Sequence, residues 1–546
     1  MKRMLWLACV LASAPALAQA PDIVLVNGRI NTLDAKASVA EALAIRGERI
    51  VAVGSFAKVR PLIAKATRVI DLHGRTVVPG LIDSHMHAIR AALSFSTEVN
   101  WIGTKSIAEA LARLRDAAKT RKSGDWLIVA GGWTPEQLAE KRAPTQAELA
   151  EAGGDHPVYV QLFYRWAMLT PKAFEQLGIK EDKDVPPAGK LDRDERGAHT
   201  GGISGNTPTI TALFARLPKP TFDEQVEGTK KFFSELNRLG LTGVIDPGGF
   251  GMSPPDYQAL FKIWKDGDLS LRVAYTIFAQ GRGKELDDYK NLTQLLPMGF
   301  GDSWLRFNGI GENVAWGVYN NDNPSDAARQ QFTEICKWAA SQKMALNIHW
   351  HNDSSAGVVL DIFDRVNQEH SIKDLRWTIA HLEDASEPTL KRMKTLGVGW
   401  ALQDAGYFEG EQQLKEKGAE AMKRIPRMNS AMYIGVHVGA GTDAHRVMSY
   451  NPWVALRWML DGKTVGGQSW RGPEETPTRV NALRMYTQGS AWFAFAEKER
   501  GSLEVGKLAD LAVLSKDYFM VPVEEIGEIE AVMTVVGGKV VHTVKP

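Results

Sequence analysis

His85 and His87 close the stretch Val78-Pro-Gly-Leu-Ile-Asp-Ser-His-Met-His87, directly behind an apolar run. Two imidazoles at positions i and i+2 of a strand face the same side and can reach one cation. Four more side chains able to bind metal follow apolar runs further along the chain: Glu312, His349, His381 and Asp443. Imidazole nitrogen and carboxylate oxygen are the donors that a hydrolytic Zn²⁺ or a similar divalent ion takes. Each residue alone has an ordinary explanation, as a capping Asp, a hydrogen-bonded core His or a solvated Glu. Their recurrence at the ends of successive runs points instead to a centre for one or two divalent metal ions. His73, His156, His199, His370 and His542 fall outside these run ends and are read as structural or surface residues.

The elements that must position these residues are legible as eight apolar runs. They are Val77 to Ile82, Leu241 to Ile245, Leu271 to Phe278, Trp304 to Ile310, Ala345 to His349, Trp377 to His381, Val398 to Leu402 and Val436 to Ala440. Buried parallel strands read as near-continuous apolar runs. Eight of them, alternating with helical patterns, predict an α/β chain folded as a (β/α)8 TIM barrel, with its active site at the C-terminal strand ends. No Gly-x-Gly-x-x-Gly follows the first run, which counts against a doubly wound open sheet. Residues 22–78 and 500–546 share a grammar of short β runs and turns, so the two ends are expected to pair into one small β-sandwich domain. The barrel then occupies 79–499, with a long insertion over 101–217 that caps the site.

With 546 residues, 44% hydrophobic and 24% charged, the chain has the composition of a soluble globular protein. A net charge of +1 gives no case for nucleic acid or an anionic membrane surface, leaving a small-molecule substrate as the expected partner and a homo-oligomer open. Sixteen Trp suggest either an apolar pocket or, more simply, the filling of a large core. Lys2-Arg3, the apolar stretch Met4 to Leu11 and Ala16-Leu17-Ala18 form a signal-peptide pattern over 1–18. The mature chain is expected to start at Gln19, to be periplasmic or secreted, and to have no stable membrane insertion. Only Cys336 remains after cleavage, so no internal disulfide can form.

These motifs resemble the amidohydrolase superfamily, in particular the amidohydrolase-3 branch that includes N-substituted formamide deformylases. Pro79 to His87 is similar to that family's first metal motif, and His349-Trp-His-Asn-Asp353 falls where the branch has His-x-x-Gly-Asp. Ile379-Ala-His381 and Gly441-Thr-Asp-Ala444 match its strand-six and strand-eight motifs, and Gly501 to Leu511 matches its return into the small β domain. The resemblance implies metal ligands at His85, His87, His349, His381 and Asp443. It further implies cleavage of a non-peptide C–N bond, of N-acyl or N-formyl type, by a metal-bound hydroxide. Asp443 would move the proton, and His381 or a metal would polarise the carbonyl oxygen.

Two departures matter. Many relatives carry a carboxylated, metal-bridging lysine after strand four. This chain has no lysine between Lys290 and Lys337, and Glu312 stands about where it would be, able to supply a carboxylate directly. The family's Gly before Asp353 is Asn352, which leaves Trp350, His351 and Asp353 as candidate substrate contacts. Asn352 also occupies the position where deaminases of this superfamily place a Glu, which counts against deamination. An esterase or lactonase on the same scaffold and a catalytically silent periplasmic binding protein are the remaining rivals.

Overall fold

The barrel strands are buried on both faces, which is why they read as apolar runs rather than as alternating ones. The computed structural model describes residues 20–544; the expected export signal lies outside the described residues. Eight strands form one all-parallel sheet in chain order: Leu81–Asp83, Leu241–Asp246, Arg272–Ile277, Leu305–Glu312, Leu346–Trp350, Thr378–His381, Gly399–Gln403 and Val438–Gly441. The cylinder closes where Ser84 N–H donates to Ala440 O (3.0 Å) and Asp443 N–H donates to His85 O (2.8 Å). This is the expected (β/α)8 TIM barrel. Its outer helices begin on polar caps. Ser325, for instance, accepts from Ala328 N–H at the start of Asp326–Ser341, and Thr221 accepts from Glu224 N–H at the start of Phe222–Arg238. The latter helix turns Phe232, Phe233 and Leu236 into the core, where burial is worth roughly 1.5–3 kcal/mol per large apolar side chain.

The first run needs a correction. Val77 to Ile82 is not one strand: Thr76–Pro79 pairs with Leu511–Leu514 in the small domain, and only Leu81–Asp83 enters the barrel. The chain changes sheets at Gly80, where a Cβ would lie 2.2 Å from Thr242 Cγ2. Only glycine lets the backbone pass that close to strand two. His85 and His87 consequently sit past the strand end, and His87 occupies the cap position of helix Ala88–Ser94.

Two further sheets lie against one another through strands from both chain ends. A four-stranded sheet holds Arg49–Gly54, Ala42–Arg46, Ile23–Val26 and Arg68–Asp71; a six-stranded sheet joins Lys539–Thr543, Ala531–Val536 and Leu511–Leu514 to Thr76–Pro79, Arg29–Asn31 and Val39–Ala40. Leu25, Leu43, Ile45, Val77, Leu511, Val513 and Val535 share one core between them. Residues 101–217 build a five-stranded sheet of their own, flanked by helices and holding its own apolar clusters. Among the described residues no helix is long and apolar enough to cross a membrane.

Candidate metal centre

Glu312 ends barrel strand four, and four imidazoles converge on its carboxylate. His349 Nδ1 lies 3.0 Å from Oε2, His85 Nε2 3.3 Å and His381 Nε2 3.5 Å, while His87 Nε2 lies 3.6 Å from Oε1. Asp443, two residues past strand eight, closes the ring, with Oδ1 3.0 Å from His87 Nε2 and 3.6 Å from His85 Nε2. The six residues expected from the sequence therefore meet at one point, although they come from five strand ends. The strand-pair reading of His85 and His87 fails in detail, yet the turn after Asp83 brings both Nε2 atoms to the same carboxylates.

Secondary contacts set these side chains. His87 Nδ1–H donates to Gly248 O (2.5 Å), which leaves Nε2 as the free donor atom toward the centre. The backbone N–H of His381 donates to Gln403 Oε1 (2.9 Å). Asp83 accepts from His85 N–H (2.9 Å) and from Thr442 Oγ1 (2.8 Å), tying the end of strand one to that of strand eight. Burial pushes its carboxyl up to about 7 against those hydrogen bonds. His381, Leu382 and Asp443 have φ of 67°, 51° and 54°, in the left-handed region that costs residues other than Gly energy. Such strain collects at functional positions, of order 1–3 kcal/mol each.

The donor set fits a cation. Burial opposes ionisation of Glu312, but the facing His349, His381 and His85 outweigh it and hold the carboxyl well below its usual range. Burial likewise opposes ionisation of Asp443, and His85 and His87 overcome it. Two buried carboxylates thus stay charged. Against burial, Asp443 and Glu312 in turn push the His85 imidazole up to about 10, while burial holds that of His349 down to about 3. Both ring nitrogens of His85, Nε2 of His349 and Nε2 of His381 are buried without a hydrogen-bond partner. Grouped by reach, the donors form four overlapping sets: His85, His87 and Glu312; Glu312, His349 and His381; His85, His381 and Asp443; and His351, His381 and Glu383. Glu312 belongs to the first two. Its Oε2 faces His85, His349 and His381 and its Oε1 faces His87, so one carboxylate lies among all four imidazoles.

The centre opens into a cavity of about 280 Å³. Phe163, Tyr164 and Arg165 of the insertion line it, together with Arg90, Phe250, Tyr319, His351, Glu409 and Met448. No Trp of the described residues lines it, and Trp101, Trp133, Trp377, Trp400 and Trp453 are fully buried in the core. The Tyr319 ring stacks at a tilt on His349, with centroids 4.6 Å apart, and its hydroxyl donates to Glu312 Oε1 (3.4 Å). Burial and then the charges of Glu312 and Asp443 keep this phenol protonated, well above its usual range.

Of the three candidate substrate contacts, only His351 lines the cavity. Trp350 alternates with His349 and His351 along the strand and so faces the helices. It is 2% exposed, and its indole N–H donates to Asn352 O (3.1 Å) and Ser355 Oγ (3.1 Å). Asp353 accepts from Ser386 N–H (2.8 Å), holding the loop after strand five to the loop after strand six. Arg90, Tyr164, Phe250 and Tyr319 were not foreseen. The only sequence signal for Arg90 was a charge inside the otherwise apolar Ala88-Ile-Arg-Ala-Ala92.

A barrel with this centre at its C-terminal end defines a hydrolase fold, and the chain belongs to the amidohydrolase family, whose sequence model matches residues 68–542. It is 25% identical to the N-substituted formamide deformylase of Arthrobacter pascens, over 96% of this chain and 98% of that one. Among solved structures it is similar to an uncharacterised metal-dependent hydrolase of Pyrococcus horikoshii (TM-score 0.67, 22% identity, 92% of this chain and 99% of that one). It is also similar to a mutant of the atrazine chlorohydrolase TrzN of Arthrobacter aurescens complexed with zinc and atraton (TM-score 0.55, 17% identity, 95% of each chain).

Proposed function

We propose that this hydrolase cleaves an amide-type bond of a small molecule, of N-acyl or N-formyl kind, with divalent ions held by His85, His87, Glu312, His349, His381 and Asp443. The observation that carries the reading is the Glu312 carboxylate, shared by two imidazole groups at the floor of a cavity. The mixed nitrogen and oxygen donor set suits Zn²⁺. Bound there, such an ion would bring the pKa of a water to about 7 and polarise the carbonyl oxygen of the amide.

The chain's own residues supply the rest. Asp443, ionised and at the cavity floor, takes a proton from the attacking water at Oδ1 and returns it to the departing nitrogen. Proton transfer of this kind is worth about 10²–10⁴-fold. Tyr319 donates its hydroxyl proton to Glu312 and fixes the carboxylate plane. The insertion, through Phe163 and Tyr164, forms part of the cavity wall beside the centre. The N-terminal pattern supports export, with the chain cleaved before Gln19 and acting in the periplasm or outside the cell.

The test is a hydrolysis panel of N-formyl amines, N-acyl amines, carbamates and esters, run on purified protein before and after chelator stripping. Amide turnover should vanish on stripping and return with Zn²⁺. Turnover that survives stripping, or a fully loaded protein inert to every amide, would contradict the proposal.

A further inference from the structure

Two polar groups on the cavity wall have no part in the hydrolytic chemistry. Arg90 lies three residues beyond His87 on helix Ala88–Ser94 and is 6% exposed, with Nη1 buried and unpartnered among the described residues. Tyr164, from the insertion, brings its ring centre to 5.8 Å from the guanidinium carbon, and its hydroxyl is also buried without a partner. Both residues line the cavity, one from the barrel and one from the lid. Asp246 lies within electrostatic reach of Arg90, but its oxygens are taken by Ile89 N–H (2.7 Å) and Gly248 N–H (2.8 Å). Arg165, the other cation on the wall, is already matched by Glu409 at 3.5 Å.

A buried guanidinium nitrogen and a buried hydroxyl left unpartnered on two cavity-lining residues are costly unless a ligand or water completes them. Both can donate to an anion, and Arg446, a second buried guanidinium within electrostatic reach of both, adds to the positive potential there. Arg165 is balanced by Glu409, so Arg90 is the guanidinium on the cavity wall left for a ligand charge to match, which suits a monoanion such as a carboxylate. Phe163, Phe250, Tyr319 and Met448 supply the remaining wall, which is apolar and largely aromatic.

We infer that Arg90 and Tyr164 form a carboxylate cradle, and that the substrate is an amide bearing a carboxylate beside an aryl or similarly bulky apolar group. This rests on the hydrolase reading for the word amide, but not for the cradle. Arg90 is a specificity residue here, binding substrate away from the scissile bond.

The experiment pairs two compounds that differ only in a carboxylate, N-formylphenylalanine (both enantiomers) and N-formyl-2-phenylethylamine, on the Zn²⁺-loaded wild type, Arg90→Met and Tyr164→Phe. Met replaces an unpaired buried charge by an apolar stem, a change that buried sites tolerate. Calorimetric binding of 3-phenylpropanoate and 3-phenylpropan-1-ol to the metal-stripped proteins gives a readout independent of turnover. The wild type should favour the carboxylate in kcat/KM by about 10- to 100-fold, mostly through KM, and Arg90→Met should bring that ratio toward one. Tyr164→Phe should lower it by a smaller factor, and 3-phenylpropanoate should bind at least about tenfold more weakly to Arg90→Met. Hydrolysis of both amides with no preference, or a preference that Arg90→Met leaves intact, overturns the cradle while the hydrolase reading stands. Arg90-dependent binding of 3-phenylpropanoate by a protein that hydrolyses neither amide supports the cradle and overturns the N-formyl amide as its substrate, the hydrolase reading being decided by the wider panel.

Discussion

At the scale of single residues, the centre depends on nitrogen atoms held ready by their neighbours. His87 is oriented by Gly248 O and His85 by its backbone tie to Asp83, and both side chains are small against the barrel core. Replacing both by Ala should abolish amide turnover and lower bound metal, while far-UV circular dichroism stays that of a folded barrel. Full turnover by the metal-stripped double variant would refute the ligand assignment. Tyr319→Phe removes one hydrogen bond to Glu312 without removing a donor from either imidazole group. Its turnover should fall by about 10–100-fold with metal content unchanged, as for partners that orient ligands rather than carry the ion. Steady-state kinetics beside elemental analysis separates the two outcomes.

Among the elements, the lid is held to the barrel through contacts that leave no room. A Cβ on Gly131 would stand 1.9 Å from Arg446 O, at a φ of +134° that disfavours other residues. Gly132 N–H donates to the same carbonyl (3.1 Å). Gly131→Ala should therefore shift the lid against the loop after strand eight. It should lower kcat/KM by more than about tenfold while leaving metal content as in the wild type, since one displaced segment near a site can cost that much. Unchanged kcat/KM would show that the lid does not shape the cavity.

The same comparison shows what a sequence can carry. Seven of the barrel runs were readable because burial on both faces leaves a continuous apolar signature, and the six metal-type residues were readable because chemistry restricts their types. The break at Gly80 was not, because a chain that leaves one sheet for another keeps its apolar character through the change. Trp350 was misread because strand alternation was not carried past His349. Arg90 and Tyr164 lie 74 residues apart in the chain and meet only through the lid, a contact with no periodicity to announce it.

For the molecule as a whole, barrel and sandwich are joined by a buried ion pair. Arg272 of barrel strand three donates through Nε to Asp510 Oδ2 (2.8 Å) and through Nη2 to Oδ1 (3.1 Å), with both side chains almost fully buried. Asp510→Ala would leave the guanidinium to Ser303 and, at 4.0 Å, Glu48, and should cost up to about 3–5 kcal/mol, the usual effect of removing one partner of a buried pair. Denaturant unfolding should show this as a lower midpoint; a midpoint equal to the wild type would mean the two units are not coupled through this pair. The chain isolated from its native host should begin near Gln19 by mass spectrometry, and a mature protein retaining Met1 would rule out export.

The central claim is that Glu312 is the carboxylate two ions share, and elemental analysis of Zn²⁺-loaded wild type beside Glu312→Gln tests it most directly. The substitution keeps the side chain's size and removes the charge at the meeting point of both imidazole groups. Wild type should carry close to two ions per chain and the variant close to one, with amide turnover reduced by orders of magnitude. One ion per chain in both proteins would contradict the account and place Glu312 outside the set of metal ligands.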